Sequence, residues 1–129
     1  MLAIDQQDAF PHKDITEAII GAAFEAYNDL GYGYLHRVYQ NSLQVELNRR
    51  GRRHQLEKRI NVNYKDVPVG YYDVDIIVDE AVIVEVKIAA QYDKRDEAPL
   101  LNLLRPSGLK LGVLVNFGRH KVAYRRLIF

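Results

Sequence analysis

The sequence predicts an α/β (α+β) fold in which a mixed β-sheet is flanked by helices. Two stretches with helical periodicity come first, three short strand-like stretches follow, and one more helix precedes two final strands. The element order is therefore ααβββαββ, which favours one layered domain. A length of 129 residues fits a single domain. We expect residues 14–129 to form it, and residues 1–13, which lack periodicity, to be an N-terminal tail.

The first two elements are predicted to be helices. Asp14 with Glu17 three residues later resembles a capping box, so the first helix is expected to begin there. Apolar residues then recur at helical spacing over 15–30, and Gly31 ends the pattern. A second amphipathic helix is predicted over about 35–50.

Three strands are predicted to follow. Ile60, Val62 and Tyr64 alternate with asparagines, which is typical of a half-exposed strand. The runs 74–78 and 82–88 are almost wholly apolar and indicate strands buried on both faces. The predicted turns between these strands are 65–66 and 79–80.

The C-terminal part of the chain is predicted to contain one helix and two strands. Pro99 is best placed in the first turn of that helix, where proline lacks only an unused N–H group. The predicted bounds are a helix over 93–105, a break at 106–108, a strand over 111–115, a turn at 116–118 and a last strand over 121–129.

Two carboxylates and a lysine lie inside the otherwise apolar strands. Asp75 is followed ten residues later by Glu85, and Lys87 projects from the same strand face as Glu85. Two carboxylates about 4 Å apart repel by roughly 4 kcal/mol at an effective dielectric constant of ~20. A hairpin that joins Asp75 and Glu85 is therefore expected to hold a proton, recruit Lys87 or bind a divalent cation. The alternative is a structural Glu85–Lys87 ion pair on a solvated sheet face.

Composition excludes several classes of function. Apolar residues make up 48% and charged residues 27% of the chain, which is ordinary for a globular domain. The net charge of +1 gives no indication of a polyanionic partner. The absence of cysteine excludes disulfides, thiolate zinc sites and cysteine nucleophiles. Neither a membrane span nor a signal peptide is recognisable, so we expect a cytoplasmic protein with no membrane partner. A homodimer is possible, but nothing in the sequence supports one.

These features together resemble the PD-(D/E)xK nuclease superfamily, and within it the small bacterial and archaeal GxxExxY proteins. Asp on the second core strand and Glu-x-Lys on the third are the superfamily pattern. Gly33 and Tyr39 match the first and last positions of the GxxExxY motif. The segments that carry the likeness are residues 19–25, 30–35, 82–87 and 108–118.

The resemblance implies a restriction-endonuclease-like αβββαβ core and a metal-dependent nuclease acting on DNA, in repair or in defence against foreign DNA. Asp75, Glu85 and the Val86 carbonyl are then expected to hold Mg²⁺ or Mn²⁺. Lys87 is expected to orient the attacking water and to offset charge on the phosphorus. Asp75, Glu85 and Lys87 are thus the catalytic candidates. Asp73 is either an accessory ligand or a hairpin-surface carboxylate.

Three positions depart from the family pattern. His36 replaces the glutamate of the motif, and Pro99 and Leu103 stand where glutamine and tyrosine are expected to line the substrate groove. His36 is either a solvated residue at the helix start or a metal ligand, the role that the RecB-type branch gives to a histidine there. The departures favour an alternative function, a binding module that has lost catalysis.

Two basic segments are candidates for contacts with phosphates. The first follows the second helix, and its alternative role is a solvated helix end. The second lies near the C-terminus. The first comprises Arg49, Arg50, Arg52, Arg53, Lys58 and Arg59, and the second comprises Arg119, His120, Lys121, Arg125 and Arg126.

Overall fold

The computed structural model describes residues 11–129 and the backbone of residues 2–4. Within this part of the chain, three helices cover the two faces of one sheet of six strands. The elements are β1 (Leu2–Ile4), α1 (Lys13–Leu30), α2 (His36–Arg49), β2 (His54–Tyr64), β3 (Val67–Val78), β4 (Val82–Lys87), α3 (Glu97–Ser107), β5 (Leu111–Phe117) and β6 (Val122–Ile128). A single 3-10 turn, Lys94–Asp96, precedes α3.

The sheet is mixed, as the sequence predicted. Its strand order is β1-β6-β5-β4-β3-β2, and β4 and β5 pair in parallel while every other neighbouring pair is antiparallel. Because β4 and β5 are parallel, their carboxyl ends meet at the same edge of the sheet, where Lys87 pairs with Asn116. The predicted fold class is confirmed.

The two faces of the sheet are covered by different helices. α1 and α2 pack on one face, where Tyr39 and Leu43 contact Val84 and its neighbours. α3 packs on the other face, where Leu100 and Leu104 lie in one cluster with Ile83. Burial on both faces explains why β4 reads as an unbroken apolar run rather than an alternating one.

Several predicted bounds were wrong for identifiable reasons. β2 and β3 begin well before residues 60 and 74, because none of residues 54–59 or 67–73 is buried and neither stretch carries a core pattern. The turn expected at 116–118 begins only at Gly118, since the Asn116 side chain binds both backbone groups of Ala89 from within β5.

The N-terminal predictions also need correction. α1 begins at Lys13, and Asp14 lies in its first turn, where it pairs with Arg52 instead of capping the helix. The tail prediction included no strand, whereas residues 2–4 pair with the end of β6. The rest of the tail expectation, residues 1 and 5–10, lies outside the described residues. No helix within the described part of the chain is long and apolar enough to cross a membrane.

β3 and β4 pair only near the turn that connects them. Residues 76–78 face residues 82–84, and beyond that point β3 continues with β2 alone. The alternation of β3 is interrupted at Asp75, because Val74 belongs to the α3 cluster and Ile76 to the opposite one. Glu57, which lies opposite Asp75 on β2, has a left-handed φ of 52°. The sheet therefore forks at Asp75.

Candidate functional site

The fork places the two carboxylates of the predicted site against each other. The Asp75 N–H donates to Glu85 Oε1 at 3.2 Å, and the Val86 N–H donates to Asp75 Oδ2 at 2.7 Å. These side chains satisfy the backbone groups that lose their partners where the strands separate. The two side chains are close enough that Asp75 raises the pKa of Glu85. The structure thus brings Asp75, Glu85 and Val86 together.

α2 supplies two further polar side chains to the fork. His36, its first residue, lies with Nε2 3.1 Å from Asp75 Oδ2, and the Val86 backbone is near enough to contribute to the raised pKa of the ring. Gln40, one turn later on the same helix face, donates to the Asp75 carbonyl at 2.9 Å. Gln40 was missed in the sequence. Its spacing of four residues from His36 is the signal that could have identified it.

The electrostatics of the fork favour a bound proton when no metal is present. Burial of the Glu85 side chain, and then the charge of Asp75, raise the pKa of Glu85 to about 8. The hydrogen bond with Asp75 raises the pKa of His36 as well. Of the three expected ways to relieve the carboxylate pair, protonation therefore operates in the metal-free protein near neutral pH.

Lys87 lies beside the carboxylates without an ion pair. Glu85 pairs with Leu114 of the α3 cluster, so Glu85 and Lys87 both project from the face that α3 covers. No carboxylate within the described part of the chain lies within 4.0 Å of the Lys87 ammonium group. The alternative of a structural Glu85–Lys87 ion pair is therefore not what the structure contains.

A groove opens from Glu85 and Lys87 between the hairpin and α3. Pro99 and Leu103 line it, together with Asp73. The two departures on α3 thus sit beside the carboxylates, at the wall where the family resemblance places glutamine and tyrosine. At these two positions the wall is apolar in the present chain, and Asp96, just before α3, is the charged residue that lines the groove on this side.

Asp73 is held by an arginine of the hairpin. Arg59 reaches both carboxylate oxygens of Asp73, at 3.0 and 3.3 Å, and its guanidinium lies 3.6 Å from the Tyr71 ring centroid. This pairing lowers the pKa of Asp73. It also occupies Arg59, one of the cations expected to contact phosphates.

The first basic segment is divided: Lys58 and Arg59 pair with Val74 and Asp73 of β3, next to the fork, whereas its four other arginines lie away from it. α2 has 14 residues and is about 20 Å long, and His36 and Arg49 are at its opposite ends. Arg50 pairs with Glu46, and Arg52 bridges Asp14 and Asp79. Among the described residues, no carboxylate forms a salt bridge with Arg49, Arg53 or Lys58.

The second basic segment is divided between two environments. Residues 119–121 follow β5 and so lie at the same sheet edge as Lys87, and the Arg119 N–H bonds the Ala90 carbonyl. Arg126, in contrast, is buried, and its Nε donates to the Thr16 hydroxyl at 3.2 Å. The expectation that Arg126 contacts phosphates was therefore wrong.

The fork contains the types of donor that bind a hard cation, but they are not arranged in a complete coordination shell. Within the described part of the chain, no three His, Cys, Asp or Glu side chains are arranged to hold a metal ion. The donors present are two carboxylates, a backbone carbonyl and an imidazole, a set that suits Mg²⁺ or Mn²⁺. The raised pKa of Glu85 indicates that positive charge is favoured there.

Comparison with known proteins gives a family for this arrangement. Residues 13–127 match the model of the PD-(D/E)XK nuclease superfamily. The chain is also similar to the crystal structure of SSO0001, with a TM-score of 0.53 and 17% identity over 89% of this chain and 57% of that one. At this identity the likeness concerns the fold alone, and the present chain spans less than two thirds of that protein. No curated protein matches the chain significantly.

Proposed function

The chain belongs to the PD-(D/E)XK nuclease superfamily, and we propose that it cleaves DNA as a Mg²⁺- or Mn²⁺-dependent nuclease. One observation carries the proposal: Asp75, Glu85, His36 and the Val86 carbonyl converge where β3 and β4 separate. Members of this superfamily generally use divalent metal ions, and the donor types at the fork fit one. We further propose membership of the GxxExxY subfamily, supported by Gly33 and Tyr39.

The acidic residues of the fork are assigned to hold the ion. Asp75 and Glu85 are hard oxygen ligands. His36, next to Asp75, and the carbonyl of Val86, whose N–H binds Asp75, are assigned as the further donors. When bound, such an ion supplies Lewis-acid activation of the phosphodiester. His36 requires its neutral form for this role, and Asp75, which raises the pKa of His36, opposes that form in the metal-free protein.

Lys87 is assigned to the transition state. Its ammonium group lines the groove beside Glu85 and forms no ion pair with a described carboxylate, so it is available to a phosphate oxygen. A cation fixed where negative charge develops on a phosphate stabilises the transition state more than the ground state. Repair, or defence against foreign DNA in the cytoplasm, is the role we propose for this activity.

A second candidate is a nucleic-acid- or protein-binding module without catalysis. The observation that favours it is the apolar wall formed by Pro99 and Leu103 beside Glu85. His36 in place of the motif glutamate favours it as well, because it leaves the fork with two acidic ligands rather than three.

A cleavage assay distinguishes the two candidates. Labelled single- and double-stranded DNA is incubated with the protein and either Mg²⁺, Mn²⁺ or EDTA, and wild type is compared with Glu85→Gln. A nuclease gives products with a metal ion but not with EDTA, and Glu85→Gln gives none. The matched control is Glu17→Gln on the exposed surface of α1, which should cut like wild type.

His36→Glu is the second arm of this experiment. If wild type cuts neither DNA and His36→Glu gains cleavage, the missing acid explains the loss. If His36→Glu is inert too, the α3 wall accounts for the loss, and the binding-module function is preferred.

A further inference from the structure

The structure assigns the outer groove between the β2–β3 hairpin and α3 to an unpaired stretch of DNA strand. This outer groove is lined by Val62, Tyr71 and Tyr72 from the hairpin and by Pro99, Asn102 and Leu103 from α3. The inference rests on the proposed function and adds to it a substrate class, DNA whose strand is single next to the cleaved phosphate.

The outer groove is continuous with the candidate site. Tyr72, Pro99 and Leu103 line both the outer groove and the inner part that contains Glu85 and Lys87. A strand whose phosphate lies at Lys87 therefore passes next over Tyr72. Continuity of this kind makes the outer groove part of the path of the substrate.

The chemistry of the outer groove suits bases rather than phosphates. No charged side chain lines it among the described residues, although Glu85, Lys87 and Asp73 line the inner part. The outside of a duplex presents phosphates, which require cations. Unpaired bases present flat aromatic faces, which stack on tyrosine rings without regard to sequence.

Tyr72 is the ring placed for stacking. It pairs across the hairpin with Ile60, which belongs to the α3 cluster, so Tyr72 projects from the face that α3 covers. Its relative exposure is 53%, and no ring or cation of residues 11–129 lies over it. Tyr71 differs, because the Arg59 guanidinium already covers its ring.

Lys58 is positioned to contact the phosphate backbone of the DNA strand proposed to stack on Tyr72. Lys58 lies two residues before Ile60 on β2 and pairs with Val74, so it belongs to the same face as Tyr72. Lys58 is exposed and forms no salt bridge with a described carboxylate. Lys58 lines neither part of the groove, so it can contact the phosphates of a strand whose bases stack on Tyr72.

Binding measured without metal tests the assignment independently of catalysis. Fluorescence anisotropy in EDTA compares a labelled oligonucleotide of about 12 nucleotides, alone and annealed to its complement. We expect the single strand to bind at least tenfold more tightly than the duplex. Tyr72→Ala should weaken single-strand binding by about 5- to 100-fold, the effect of losing one stacked base. Tyr72→Phe, which keeps the ring, should bind like wild type.

Tyr64→Ala is the matched control, because Tyr64 is an exposed tyrosine of the same hairpin that does not line the groove. It should bind within about twofold of wild type. Equal affinity for duplex and single strand, or equal losses in Tyr64→Ala and Tyr72→Ala, would overturn the assignment. A dimer in sedimentation analysis that Tyr72→Ala dissociates would also overturn it, since a second copy would then cover the groove.

Failure of this inference is distinguishable from failure of the nuclease proposal. Metal-dependent cleavage without a single-strand preference contradicts the groove assignment and leaves the nuclease intact. Single-strand binding through Tyr72 in a protein that never cleaves supports the groove assignment and contradicts the nuclease.

Discussion

Glu85 is the residue whose charge determines the state of the fork, because it is a largely buried carboxylate close to another. Its proton in the metal-free protein removes one of the two negative charges. A divalent cation has the same effect and also leaves both carboxylates available as ligands. His36 responds to the same field, since Asp75 favours its protonated form.

The pKa of Glu85 makes the stability of the metal-free protein depend on pH. Its folded-state pKa of about 8 exceeds the ordinary value of 4.5, so the folded state binds more protons than the unfolded state between these values. The stabilising contribution is complete below about pH 4.5 and is lost as the pH rises through about 8. The Tm of wild type in EDTA should therefore fall across this range.

Glu85→Gln removes that titration and should give a flatter Tm profile across the same range, measured by differential scanning fluorimetry. The raised pKa of His36 leaves a residual decline above pH 6.5 in this variant. Parallel profiles for wild type and variant would contradict the protonation of Glu85.

Lys87→Ala separates catalysis from metal binding. The lysine lines the groove without coordinating the ion in our assignment, so its loss should reduce the cleavage rate by about 10²- to 10³-fold. Metal affinity, measured by calorimetry, should change little. Lys110→Ala, at the opposite end of β5, is the control and should leave both quantities unchanged. Loss of metal binding in Lys87→Ala would show that the lysine maintains the fork itself.

At the scale of elements, the tight turn between β3 and β4 fixes how far the two strands pair before they fork. Asp79 and Glu80 are the central residues of the turn that the Ala81 N–H closes onto the Val78 carbonyl, and both have left-handed φ angles, 52° and 55°. Asp79 is held by the Arg53 N–H at 2.9 Å and by Arg52. Glu80 has no such compensation among the described side chains.

Glu80→Gly should therefore stabilise the protein by about 0.5–1 kcal/mol, because glycine adopts this conformation without strain. Chemical denaturation measures the change. Glu80→Ala keeps the Cβ atom and removes the charge, so it should leave stability nearly unchanged. An equal gain in both variants would assign the effect to repulsion between Asp79 and Glu80.

The sequence was most informative where burial produces a pattern. β4 and the first two helices were predicted almost to their ends, because their apolar residues follow the period of each element. Residues 54–59 of β2 and 67–73 of β3 carry no such pattern, since none of them is buried. Asp75, Glu85 and Lys87 stood out as charges among apolar residues.

The fork itself could not be predicted, because it depends on where β3 leaves β4 in three dimensions. Gln40 was missed for the same reason: its partner is a backbone carbonyl 35 residues away. Arg126 was misassigned because a basic segment in sequence gives no sign that one member folds beneath a helix, against Thr16.

In the molecule as a whole, two groups of cations lie at opposite ends of the sheet. Residues 119–121 lie at the edge that contains the fork, and Arg49 and Arg53 lie at the far end of α2. With a net charge of +1, the local placement of cations decides where a polyanion binds.

Charge reversal tests this division. Arg119→Glu with Lys121→Glu should weaken DNA binding more than Arg49→Glu with Arg53→Glu, a pair with the same change in net charge. If both cations of the first pair contact phosphates, its slope of log K against log salt should flatten by about 2. A larger effect at Arg49 and Arg53 would move the binding surface to the end of α2.

Titration of the protein with Mn²⁺ by isothermal calorimetry tests the central claim, that the fork of β3 and β4 is a divalent-metal site. Wild type should bind a single ion and release protons near neutral pH, because Glu85 must ionise. Asp75→Asn and Glu85→Gln should lose this binding. Asp73→Asn, a neighbouring carboxylate paired with Arg59, should keep it. Absence of binding in wild type, or equal binding in Asp75→Asn and wild type, would contradict a metal site at the fork.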